Sequence, residues 1–129
     1  RDVQAKELYD TAYLDLSREE YELAQQGFEQ YLKTFPDSDY SDNARYWIGE
    51  IYYARKLYGK ALTEFKTVVE EFPGADKVPA ALLKTGYCLL NLERDAEART
   101  YLTRLIERFP DANEAALARK RLGELDNDQ

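Results

Sequence analysis

The residues here with most capacity for chemistry are aromatic: eleven tyrosines and one tryptophan, in a chain of 129 residues that has no histidine and a single cysteine. Without histidine the commonest neutral-pH base and metal ligand is missing. No glycine-rich phosphate loop, cysteine cluster or paired metal-ligand spacing occurs in the sequence. A nucleophilic thiol needs a cationic neighbour and solvent access. Cys88 instead stands in a column with Leu14, Ile51 and Leu125 at a spacing of 37 residues, which marks it as a small apolar filler. Acidic pairs such as Glu19-Glu20 and Glu70-Glu71 fall near expected helix ends and read as solubilising charge. No enzyme chemistry, cofactor or metal is expected. What remains is contact chemistry: tyrosine and tryptophan offer large, stiff, amphipathic area, and anchors of this kind contribute about 2 kcal/mol or more each at the centre of an interface.

The elements that must position these rings are set by a repeat. Phe35-Pro36, Phe72-Pro73 and Phe109-Pro110 are 37 residues apart, and Ala24, Ala61 and Ala98 each precede the proline by twelve. The same register aligns Phe28/Phe65/Leu102, Tyr31/Val68/Leu105, Ala44/Ala81/Ala118 and Gly49/Gly86/Gly123. Apolar residues recur at helical spacing within each unit, as in Tyr21, Ala24, Phe28, Tyr31 and Leu32, and strand-like alternation is absent. Units of this length cannot bury an apolar face alone, so the chain must stack them.

The pattern predicts seven helices at about 2–16, 17–35, 41–56, 58–72, 78–92, 94–108 and 111–125. Ser17 and Glu20 have the spacing of a capping box. Ser41 and Pro79 suit helix starts, and each Phe-Pro pair should end a second helix because proline disfavours helix in the residue before it. The segment from Asp111 to Leu125 is in first-helix register and reads as a capping half repeat, with a frayed tail from Asp126 to Gln129. Tyr21, Phe28, Tyr31, Phe65 and Phe72 are expected in the core. One domain spans residues 1–129, with units at about 2–36, 41–73 and 78–110.

Each unit is similar to a tetratricopeptide repeat. Gly49, Ala61, Phe65 and Pro73 match its pattern in type and spacing, as do Gly86, Ala98 and Pro110, and Ala12, Ala24, Phe28 and Pro36. The units are three residues longer than the common repeat of about 34, and Leu8, Arg45 and Leu82 stand where an aromatic is usual. The resemblance implies an all-α, right-handed superhelix of three helical hairpins plus a C-terminal capping helix. It also implies that the first helix of each unit lines a concave groove. Carrying over the groove positions gives Lys6, Tyr9, Tyr13 and Leu16; Asn43, Tyr46, Glu50 and Tyr53; and Ala80, Leu83, Tyr87 and Leu90. With Trp47 and Lys84 beside them, the expected partner-binding set is Tyr9, Tyr13, Asn43, Tyr46, Trp47, Glu50, Tyr53, Leu83, Lys84, Tyr87 and Leu90. On a helix Asn43, Tyr46, Trp47, Glu50, Tyr53 and Ala54 share a sector of about 120°. Two roles fit these rings: Tyr46, Tyr53 and Tyr87 open to the groove, or tyrosines packing helix on helix with only the hydroxyl in water. Trp47 suits a wedge against the next unit as well as a contact.

Phe35-Pro36-Asp37-Ser38-Asp39-Tyr40, Asn43 through Glu50 and Ala81 through Tyr87 resemble the C-terminal domain of the YbgF/CpoB family, which coordinates cell division with the Tol-Pal system. The resemblance implies a periplasmic, non-enzymatic protein-binding module that engages TolA and links outer-membrane constriction to peptidoglycan synthesis. In that family an upstream coiled coil trimerises; this chain, which begins at Arg1, is expected to be an excised C-terminal domain or mature fragment, and monomeric. Alternatives are an outer-membrane assembly scaffold and an oligomerisation or spacer domain. A co-chaperone clamp for a terminal carboxylate would need converging Lys, Arg and Asn, and only Lys6, Asn43 and Lys84 are near such places. The net charge of −7 and pI of about 4.7 disfavour nucleic acid and anionic membranes, which reward clustered cations. No apolar run reaches membrane-spanning length.

Overall fold

A computed structural model of the chain describes residues 2–128. Its seven helices are α1 (Asp2–Ser17), α2 (Tyr21–Thr34), α3 (Ser41–Ala54), α4 (Tyr58–Glu71), α5 (Val78–Asn91), α6 (Asp95–Arg108) and α7 (Asn113–Asn127), with no strand among the described residues. They pair as hairpins α1/α2, α3/α4 and α5/α6. Each second helix packs on the first helix of the next unit, and α7 also packs on α5.

The hairpins need close helix approach, and the sequence supplies it in one column. A Cβ on Gly49 would lie 2.7 Å from the Phe65 ring, and one on Gly86 would lie 2.6 Å from Leu102 Cδ2. In the first unit that column holds Ala12, and the missing side chain is on the opposite helix: a Cβ on Gly27 would meet Ala12 Cβ at 2.8 Å. Ala24, Ala61 and Ala98 are fully buried for the same reason. Close packing of this kind makes a single added methylene costly.

The second helices end as the prolines require: Phe35, Phe72 and Phe109 have φ near −130° and ψ near 60°, outside the helical region. The tight turns inside the hairpins differ from expectation. Ser17 and Glu20 form no capping box; Ser17 is the last residue of α1, its hydroxyl donates to Leu14 O at 2.7 Å, and α2 starts only at Tyr21. Helix exit is instead governed by Glu19, Lys56 and Glu93, 37 residues apart, with φ of 60°, 62° and 59°. After each, a backbone N–H reaches five residues back: Glu20 to Asp15 O and Leu57 to Tyr52 O at 2.9 Å, and Arg94 to Leu89 O at 2.8 Å. This closure satisfies carbonyls that the helix end leaves open.

Ser41 is likewise not a side-chain cap. It is fully buried as the first residue of α3; its hydroxyl donates to Phe35 O at 3.0 Å and accepts the Ser38 N–H at 2.9 Å. It pins the linker after Pro36, where Tyr31 hydroxyl also bonds Ser38. Pro79 does sit in the first turn of α5. α7 begins at Asn113 rather than 111 and continues through the expected tail to Asn127, where Asp126 pairs with Arg99 at 2.9 Å; Gln129 lies outside the described residues.

The core has two parts. One, around α1, α2 and α3, is aromatic, with Tyr9, Phe28, Tyr31 and Phe35; the other, from α3 onward, is mainly aliphatic, and Trp47 and Tyr52 pack against both. Phe28, Tyr31 and Phe65 are buried as expected, whereas Tyr21 and Phe72 are half-buried. Column position does not guarantee burial: Ile51 and Cys88 are sealed, while Leu14, with no unit before it, is 48% exposed.

Candidate functional site

The leading helices α1, α3 and α5, followed by α7, adjoin along one face, and their side chains meet at offsets near the repeat length. Trp47 Nε1 donates to Tyr9 hydroxyl at 2.8 Å, and the Tyr13 and Trp47 rings are 5.3 Å apart. Between α3 and α5, Lys84 Nζ lies 3.1 Å from Glu50 Oε1 and 4.4 Å from the centre of the Tyr53 ring. Asn91 Nδ2 approaches Tyr53 hydroxyl at 3.4 Å and donates to Tyr87 O at 2.9 Å.

The expected site residues divide by burial. Tyr46 is 6% exposed, which corrects its expected opening to the groove: its ring is wedged 5.4 Å from Phe65 and 5.1 Å from Trp47. Burial first, then the neighbouring Glu50 carboxylate, hold its phenol protonated well above the ordinary range. Leu83, next in that column, is 5% exposed, and Tyr9 is 9% exposed, stacked on Tyr40 at 4.8 Å. Burial raises the pKa of the Tyr9 hydroxyl, opposed by its polar neighbours Trp47 and Asn43, and Asn43 itself is half-buried. Tyr13, Trp47, Glu50, Tyr53, Lys84, Tyr87 and Leu90 keep at least partial access to solvent. Burial also raises the pKa of Tyr53 and Tyr87, so both rings present neutral hydroxyls. Cys88 is sealed and its thiol is pushed up to about 12 by burial, the opposite of an activated nucleophile.

Two hollows open on this face. One, of about 350 Å³, lies between α1 and α3 and is lined by Leu16, Trp47, Glu50 and Ala54, with Ser17, Glu19 and Tyr21 at its edge. The other, of about 200 Å³, is lined by Tyr53, Tyr87, Leu90, Asn91 and Arg121. Arg121 and Asn91 lie outside the expected site set. The signal for Arg121 is present in the sequence, since it continues the column Trp47/Lys84/Arg121, but its place on a capping helix suggests only solvating charge. Lys77 also lies outside that set; it comes from the linker before α5 and sits 4.8 Å over Trp47 and 5.5 Å over Tyr46. Among the described residues no cluster could hold a metal, and no helix is long and apolar enough to cross a membrane.

This architecture is similar to the N-terminal domain of stress-induced protein-1 (STI-1) from C. elegans, with a TM-score of 0.74 over 91% of this chain and 93% of that one, at 13% identity. The likeness shows the fold, an all-α tetratricopeptide-repeat superhelix. Two curated Cell division coordinator CpoB proteins of Pseudomonas putida, one from strain KT2440, are each 34% identical over 53 residues, 41% of this chain. The matched stretch spans only 20% of the length of those relatives. Residues 1–128 match the family model YfiO, an outer membrane lipoprotein family. A helical repeat stack, and a family match over almost its full length, lead to one conclusion: the chain belongs to the YfiO outer membrane lipoprotein family.

Proposed function

We propose that the face formed by α1, α3, α5 and α7 binds a segment of a protein partner in the periplasm, and that this partner is TolA, so that the module helps coordinate outer-membrane constriction with peptidoglycan synthesis during division. The observation that carries the reading is the hollow walled by the half-exposed rings of Tyr53 and Tyr87 beside Leu90. Amphipathic rings that remain partly wet in the free chain are the groups that gain most from burial against a partner. The CpoB relatives support the division role, and the family of outer membrane lipoproteins supports the envelope.

Within this reading the contact set is Tyr13, Asn43, Trp47, Glu50, Tyr53, Lys84, Tyr87 and Leu90, with Tyr9, Tyr46 and Leu83 holding those residues from beneath. The chain acts as a monomer, which light scattering over a concentration range will check. Calorimetric titration of TolA into wild type and into Tyr53→Ala/Tyr87→Ala should show affinity weakened by about tenfold or more, with helical circular dichroism unchanged. Undiminished affinity in the double variant would remove the groove from the account. A second reading, an outer-membrane assembly scaffold, is favoured by the family match; wild-type chain that does not bind TolA at all would favour it.

A further inference from the structure

The two hollows occupy related places in the repeat. Leu16, Tyr53 and Leu90 form one column at a spacing of 37, Ser17, Ala54 and Asn91 a second, and Trp47, Lys84 and Arg121 a third. The hollow between α1 and α3 uses Leu16, Ser17, Ala54 and Trp47; the hollow beside α7 uses Leu90, Asn91 and Arg121. One repeat on from Leu16, Glu50 and Ala54, the residues Tyr53, Tyr87 and Asn91 also border the second hollow, and Lys84, one repeat on from Trp47, lies across Tyr53 and pairs with Glu50 between the two. The face therefore runs hollow, ion-paired bridge, hollow.

Cations stand at three places along this face, among the carboxylates of Glu19, Glu50 and Glu124. The third column carries Lys84 and Arg121, and Lys77 stands over the rings of Trp47 and Tyr46 with no carboxylate in ion-pair distance among the described residues. Lys84 Nζ is the cation near Glu50, 3.1 Å from Oε1, although that buried oxygen accepts no well-aligned hydrogen bond. Arg121 reaches Glu124 only at 4.0 Å, and that carboxylate is half exposed, so the guanidinium retains donors toward the hollow. Both hydrogens of Asn91 Nδ2 point at groups of this chain, Tyr53 hydroxyl and Tyr87 O, which leaves its Oδ1 to accept a backbone N–H.

Resting on the groove reading above, we infer that the occupant is an extended internal segment of a protein partner that carries two large apolar side chains, one for each hollow, with an Asp or Glu next to the one that enters between Tyr53, Tyr87 and Leu90, its carboxylate on Arg121. The chain that fills both hollows crosses the Lys84–Glu50 bridge, and the carboxylate that meets Arg121 is that of a side chain rather than of the chain's end. Charge complementarity selects the acidic segment; the aromatic and leucine walls select its neighbour.

Selection from a phage-displayed library of short random peptides without free C-termini tests this. Wild-type chain should enrich sequences with Asp or Glu adjacent to Leu, Phe, Tyr or Trp, and Arg121→Glu should enrich Lys or Arg at that place. The wild-type consensus, synthesised with an amidated C-terminus, should bind Arg121→Gln about tenfold more weakly and lose affinity as salt rises. No enrichment, a basic or uncharged consensus, the same consensus for both chains, or binding restored only by a free C-terminal carboxylate would each overturn the inference. If TolA binding falls in Tyr53→Ala/Tyr87→Ala but is indifferent to Arg121→Gln, the groove reading stands and this one fails.

Discussion

The two halves of the binding face use the same register to opposite effect. Around α1 and α3 the column Tyr9/Tyr46 is aromatic, and its rings are consumed internally: Tyr9 stacks on Tyr40, Tyr46 packs on Phe65, and Trp47 bonds across to Tyr9. Around α5 and α7 the column continues as Leu83, Phe65 gives way to Leu102, and the rings of Tyr53 and Tyr87 border an open hollow with Leu90 and Arg121, whereas the hollow between α1 and α3 has Trp47 beside Leu16. The lesson is that a repeat position is not a role. Whether a tyrosine is a site or a brace depends on how far its neighbours reach.

The largest test of this comparison joins the halves. Ala61 is fully buried in the middle hairpin, so Ala61→Glu places an unpaired charge there and should cost more than about 4 kcal/mol. The array should lose its cooperative thermal transition as a whole; survival of a near-wild-type transition would mean the hairpins are far less interdependent than their packing indicates. Next, the brace and the site should separate in urea. Tyr46→Ala should lower stability by about 3 kcal/mol, whereas Tyr53→Ala should lower it by less than about 1 kcal/mol. Equal losses would erase the distinction.

A third test uses one column with opposite signs. Gly49→Ala forces a Cβ against Phe65 and should cost about 1–3 kcal/mol. At the equivalent Gly123 on α7 an added Cβ would meet nothing within 4 Å, so Gly123→Ala should stabilise by about 1 kcal/mol through helix propensity alone. The smallest effect concerns pH and belongs to the middle hairpin, which replaces the Leu8/Gly27 and Leu82/Tyr101 pairings of the other hairpins with Arg45 and Glu64 at 3.4 Å. Burial raises the Glu64 pKa above 4.5, and Arg45 opposes this only in part. The unfolded chain then ionises first, so stability present at low pH should decline as pH rises from 4.5 through the folded value. Glu64→Gln should flatten that part of a melting-temperature profile.

Much of the fold is legible because proline and glycine act locally. The Phe-Pro pairs end α2, α4 and α6 where expected, and the glycine column marks the close helix crossings. The turn at Ser17 and Glu20 departs from its sequence reading because side-chain capping patterns are visible in sequence, while a left-handed glutamate or lysine at 19, 56 and 93 carries no residue-type signature. The candidate site is legible as a helix face and illegible in depth: Tyr46 and Tyr53 share that face, yet Phe65, Trp47 and Lys77 close around one of them. Arg121 is hidden for a different reason, since its neighbours Tyr53 and Tyr87 belong to two other helices.

The 37-residue period determined that this chain is a stack of helical hairpins, and its composition that it carries no histidine, because periodicity and composition are properties of the chain taken one segment at a time. Tertiary structure alone decided which rings are sealed, where Lys84 closes the face and where Arg121 completes a hollow, because each depends on side chains from different units meeting at distances that no single segment encodes.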